Sequence, residues 1–91
     1  MSSRRPRYRR AVGLEYDTKS MEAPAVNLKA EQLRADEVVK LAKRYGVPVI
    51  ENPGLAKSLS ALEIDEQIPG PLFEAVAFVL LELDKKLSRR A

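Results

Sequence analysis

Nine residues constrain this chain more than any others: Tyr45, Gly46, Val47, Pro48, Val49, Ile50, Glu51, Asn52 and Pro53. Gly46 can adopt the left-handed conformation that closes a helix, and Asn52 followed by Pro53 has the form of an N-cap with proline at the first helical position. Between these boundaries Val47, Val49 and Ile50 make a β-branched run too short for a helix. The stretch therefore predicts a central, buried strand with a helix ending before it and another beginning after it.

The flanking pattern supplies what would cover such a strand. From Ala11 to Tyr16, Val12, Leu14 and Tyr16 alternate with Gly13 and Glu15, which predicts a half-buried strand ended by a polar turn at Asp17 to Ser20. Met21, Glu22, Ala23 and Pro24 form an extended connector, because a residue before proline avoids the helical region. Ala25 to Leu28 follows as a second strand, with Val26 and Leu28 on one face. A helix is predicted from Glu31 to Tyr45, with Leu33, Val38, Leu41, Ala42 and Tyr45 near one side and acids early and bases late, the order the helix dipole favours. A strand, this helix and the Val47–Ile50 strand would form a right-handed βαβ crossover.

Past Pro53 the pattern predicts a short helix with Leu55, Leu59 and Leu62 along one side, then a break at Ile68-Pro69-Gly70-Pro71 and a last helix from Leu72 to Leu87. Leu72, Val76, Val79, Leu80, Leu83 and Leu87 share one stripe of that helix, Phe73, Ala77 and Leu81 form a second band, and Phe78 lies nearly opposite. Such a helix is more apolar than one packing face requires. Either the small sheet buries both bands, the reading favoured here, or the second band is a surface for another protein. The expected fold is α/β of the α+β type, a small mixed β-sheet of three to four strands with a βαβ crossover, covered by about three helices.

Composition narrows the chemistry. The 91 residues allow one small domain and include neither cysteine nor histidine. Disulfides, thiolate metal sites, the usual neutral-pH base and histidine-dependent triads are thereby excluded. No paired-acid motif, glycine-rich phosphate loop or nucleophile elbow is present, so no enzyme, metal site or cofactor is expected. The net charge of +3 hides an asymmetry: residues 1–10 carry five arginines and no acid, residues 85–91 four bases and no acid, and the remainder seven bases against thirteen acids. This divides the chain into a basic, largely disordered leader at 1–10, a domain at 11–87 and a basic tail at 88–91. Arg4, Arg5, Arg7, Arg9 and Arg10 suit either a solubilising role or attraction to an anionic membrane surface. Nucleic-acid binding, with Tyr8 as a stacking ring, is the alternative that the acidic middle disfavours.

Four segments carry a further signal: Ala11-Val12-Gly13-Leu14-Glu15-Tyr16-Asp17, Met21-Glu22-Ala23-Pro24, the run from Gly46 to Leu59, and the run from Ile68 to Ala77. In order and spelling they resemble the cytoplasmic C-terminal domain of the flagellar and type III secretion export-switch family, the FlhB/YscU-like proteins. The resemblance implies a non-enzymatic, cytoplasmic binding module, peripheral to the inner face of the membrane. Its implied partners are the export gate's cytoplasmic domain and rod- and hook-class export substrates. The family's patch positions fall on Ala23, Pro24, Ala77 and Leu80. A general interaction domain unrelated to secretion is the remaining alternative.

Members of that family normally carry Asn-Pro-Thr-His just ahead of the first segment and cut themselves between Asn and Pro, the Asn side-chain nitrogen attacking its own carbonyl. Here those positions read Pro6-Arg7-Tyr8-Arg9-Arg10, without the reactive Asn or the His, so the chain is expected to behave as a pre-cut fragment made separately. Asn52-Pro53 lacks the Thr-His and is read as a helix start. Intact-mass measurement of the purified chain should return one species that does not change on incubation. New fragments starting within residues 6–10 or at Pro53 would contradict this expectation.

Overall fold

The structure, a computed structural model, describes residues 5–16 and 24–88, with side chains described as far as Lys85. Two strands and three helices follow one another: β1 (Arg10–Glu15), β2 (Ala25–Glu31), α1 (Leu33–Arg44), α2 (Pro53–Ser60) and α3 (Phe73–Ser88), the last entered through a 3-10 turn at Gly70–Leu72. The mixed α/β class and the three helices are as expected. The expected turn at Asp17 to Ser20 and the connector residues Met21, Glu22 and Ala23 lie outside the described residues.

The sheet corrects the expected count. β1 and β2 pair antiparallel as a two-stranded sheet, and Val47–Ile50 is irregular rather than a third strand, so no βαβ crossover forms among the described residues. Val47 is exposed and Val49 and Ile50 are half-buried. The place of a third strand beside β2 is taken by the loop that follows α2. Asp65 N–H donates to the Val26 carbonyl at 2.7 Å, Ile68 N–H to the Pro24 carbonyl at 3.1 Å, and Val26 N–H to the Glu66 carbonyl at 3.4 Å. Ala25 and Gln67 are bridged antiparallel. Because these bonds occupy the edge of β2 that faces away from β1, a parallel neighbour is excluded there.

A bulge decides which side chains of β2 face inward. The register pairs Val12 with Lys29, Gly13 with Leu28 and Leu14 with Val26, leaving Asn27 as an extra residue on β2. Without it, Val26 and Leu28 would share the core face, as the alternation predicts. With it, Leu28 turns outward and Lys29 comes alongside Val12, where its ammonium donates to the Leu62 carbonyl at 2.8 Å beyond the end of α2. Gly13 permits the crowding, since a Cβ there would meet the Asn27 side-chain oxygen at 2.6 Å and Leu28 Cβ at 3.1 Å.

The core is one cluster of Val26, Leu55, Leu59, Leu62, Ile68, Val76 and Val79, with Val12, Leu14, Ile50, Leu72, Leu80 and Leu83 packed partly against it. Helix α1 packs on both strands yet buries only Ala35 and Val39, outside that cluster. The expected large-residue face is thus displaced. Leu33, Leu41 and Tyr45 remain exposed, while Ala35, Val38, Val39 and Ala42 form the inner stripe. Small and β-branched side chains at that spacing allow the helix to lie close to the twisted strand pair.

The helix boundaries follow from local chemistry. Asn52 Oδ1 accepts Leu55 N–H at 3.1 Å with Pro53 at the first turn, the expected cap. At the end of α1, Gly46 has φ 77°, Val47 N–H reaches the Ala42 carbonyl at 2.8 Å and Gly46 N–H the Lys43 carbonyl at 3.4 Å, a Schellman closure. The start of α1 is different. Its N-cap residue Gln32 makes no side-chain cap; instead the Asp36 carboxylate accepts Arg7 N–H at 2.9 and 3.0 Å and Tyr8 N–H at 2.9 Å. Gln32 N–H donates to the Arg9 carbonyl at 3.0 Å. The stretch 5–9, expected from charge density to belong to a largely disordered leader, is therefore held at the N-terminus of α1. Gly46→Ala should lower stability by about 1 kcal/mol, read as a fall in the urea midpoint at unchanged slope, because alanine is strained at that φ.

Candidate functional site

Among the described residues, no three acidic side chains converge in a way that would hold a metal ion. Exposed apolar side chains line one side of α3, and the sequence explains why. With 3.6 residues per turn, the stripe containing Val76, Val79, Leu80 and Leu83 enters the core, and a second set of apolar side chains is carried to the opposite side. Val76 is 2% exposed, whereas Phe78 is 66% and Leu81 61% exposed. Phe73 and Ala77 are exposed as well. The reading in which the sheet buries both bands is overturned: the core cluster takes the inner stripe together with Leu55 and Leu59, while Phe73, Ala77 and Leu81 of the second band stay exposed.

The four predicted patch residues separate in environment. Ala23 lies outside the described residues. Pro24 is half-buried at the entry to β2, where its carbonyl holds the Ile68 amide. Leu80 is half-buried against the core, and Ala77 is exposed one turn earlier on α3. Pro24 and Leu80 are connected through Ile68, which belongs to the same cluster as the residues under Leu80. Ala77 is the described member of the set that is exposed, while Pro24 and Leu80 are half-buried.

Two further features were not anticipated. A second apolar surface gathers at the end of α1, where Leu41, Tyr45 and Val47 are exposed and a shallow depression is lined by Glu37, Lys40, Leu41 and Arg44. Its signal lay in the inner stripe of small residues, which leaves the larger ones outside. In the leader, the Arg7 guanidinium lies 5.5 Å from the centre of the Tyr8 ring. That cation–π contact covers one face of the ring.

With this geometry in view, comparison with known proteins is informative. Residues 8–83 match the model of the family described as FlhB HrpN YscU SpaS. The chain is 35% identical over 85 residues to YlqH of Bacillus subtilis strain 168, covering 90% of this chain and 91% of that protein. It is 42% identical over 71 residues to the flagellar biosynthetic protein FlhB of Salmonella typhimurium strain LT2, covering 77% of this chain but 18% of FlhB. Two solved structures share the fold. A crystal structure of the PscU C-terminal domain has a TM-score of 0.75 and 33% identity, covering 81% of this chain and 95% of that one. A mutated EscU/SpaS C-terminal domain has a TM-score of 0.78 and 30% identity, covering 84% and 95%.

The two faces of α3 should respond differently to truncation. Val76→Ala is expected to cost roughly 2 kcal/mol through lost burial and the cavity left behind. Phe78→Ser should change stability by less than about 0.5 kcal/mol, since it removes no core contact. Chemical denaturation of both variants checks the contrast, and equal losses would place Phe78 in the core.

Proposed function

Since the chain belongs to the FlhB, HrpN, YscU and SpaS family, we propose that it is a non-enzymatic protein-binding module of the flagellar or type III export apparatus. In this reading it acts as the cleaved C-terminal fragment of an export-switch protein does, docking with the export gate's cytoplasmic domain or with rod- and hook-class substrates. The observation that carries the reading is the coincidence of the family match over residues 8–83 with an α3 that leaves Ala77 and its apolar neighbours uncovered. The chain spans about a fifth of the length of the FlhB relatives it matches.

Physical considerations support a transient contact. Ala77 is small, and the side chains around it leave a shallow surface, so the area buried falls at the low end of specific interfaces. Affinity in that range suits substrates that must be released and passed on. Ala23 and Pro24 complete the proposed patch from the connector side. We place the module on the cytoplasmic side of the membrane. Among the described residues no helix is long and apolar enough to cross a bilayer, and the leader arginines would draw the domain toward anionic lipid.

The test is a pull-down or cross-linking assay of the full chain against the purified gate domain and a hook-class substrate. Retention of either is expected, and Ala77→Asp should reduce it at least tenfold while circular dichroism is unchanged, because a carboxylate is then desolvated in an apolar contact. Absence of retention of both, or retention that Ala77→Asp leaves intact, would overturn the reading.

A further inference from the structure

The outer face of α3 has an order that neither packing nor the patch at Ala77 accounts for. At about 100° per residue, Glu74, Phe78, Leu81 and Lys85 fall in a band roughly 60° wide on the side of the helix opposite Val76. All four are exposed, Lys85 at 68% of its side chain. Their spacings of four, three and four residues are those of a seam between two helices. Phe78 and Leu81 lie equally far from the midpoint between Val79 and Leu80, and so do Glu74 and Lys85. The seam is therefore self-complementary about that point, with two large apolar side chains in the middle, an acid at one end and a base at the other.

We propose that two copies of this chain pair antiparallel through the outer face of α3, about a twofold axis that lies between the two helices at the level midway between Val79 and Leu80. The axis sets Phe78 against the partner's Leu81 and Glu74 against the partner's Lys85, each contact occurring twice, as an isologous interface requires. A parallel arrangement would place Glu74 against the partner's Glu74 and Lys85 against the partner's Lys85, so charge selects the antiparallel one. Ala75 and Ala77 flank the seam, and their small side chains allow the backbones to approach. The ion pair that Lys85 makes with Glu82 within its own helix is long, 3.9 Å, and exposed, so it holds Lys85 only weakly against an exchange of partners. Four seam residues per copy bury little area, which makes the dimer a concentration-dependent one. Ala77 borders this seam, so self-association would compete for surface with the partner binding proposed above, but the pairing is argued from the charge and apolar order of α3 and stands without that reading.

Sedimentation equilibrium of the full chain, from roughly 10 µM to 1 mM, tests it. The weight-average mass should rise from that of one chain toward that of two. Glu74→Lys alone and Lys85→Glu alone each turn two attractions into two repulsions and should weaken association roughly tenfold. Glu74→Lys combined with Lys85→Glu restores opposite signs across the axis and should recover the original affinity. Phe78→Ser should abolish association with unchanged circular dichroism, which keeps the proposal testable should a charge swap disturb the fold. A mass that stays at one chain throughout would overturn it. Growth beyond two chains, single swaps without effect, a double variant no better than the singles, or Phe78→Ser associating as before would do the same.

Discussion

Val26 is the point on which this small domain turns. Its side chain is fully buried in the cluster of leucines, isoleucine and valines beneath the sheet, and its residue pairs with Leu14 of β1. Both of its main-chain groups are used on the opposite edge, the carbonyl by Asp65 N–H and the amide by the Glu66 carbonyl. One residue thus joins the strand pair, the loop after α2 and the core. A buried backbone group without a partner costs about as much as a lost hydrogen bond, so the 65–68 segment is required wherever Val26 is buried. Its position brings Ile68 inward and sets the entry of α3 through the Pro69-Gly70-Pro71 turn.

From that arrangement follows the division of α3 into two faces. A sheet of two strands, closed on one edge by a loop, presents limited apolar area. Leu55 and Leu59 from α2 share it with Val76 and Val79 from α3, and the remaining apolar residues of α3 have nowhere to be buried within one copy. Exposed phenylalanine and leucine on this scale mark a contact surface more often than an accident of composition. The proposed patch at Ala77 and the proposed seam through Phe78 and Leu81 draw on the same uncovered side of α3.

Much of the fold was legible because its causes are local. Asn52 with Pro53 announces α2, and Gly46 closes α1 through hydrogen bonds that span only five residues. The alternation of Val12 and Leu14 gives β1 directly. The third strand was misread because Val47, Val49 and Ile50 have strand character, yet that stretch runs irregularly and the outer edge of β2 is taken by residues far along the chain. The inward face of β2 was misread at Leu28 because a one-residue bulge reverses the alternation, and its cue, Gly13 opposite Asn27, becomes visible only when the strands are in register. The inner face of α1 was present in the sequence as Ala35, Val38, Val39 and Ala42, but larger residues at neighbouring positions outweighed it.

The candidate surface divides along the same line. The sequence by itself determined the family, the end of α1 and the start of α2, the absence of histidine and cysteine chemistry, and the existence of two apolar bands on the last helix. These depend on residue identity and on spacing within a turn or two, where the geometry of the chain leaves few choices. Only the tertiary structure decided which band is buried, that Arg7 and Tyr8 are held by Asp36, and that a loop rather than a strand completes the edge of β2. Those outcomes are competitions among distant segments for one small sheet, and such competitions are settled by packing area and hydrogen-bond satisfaction across the whole molecule.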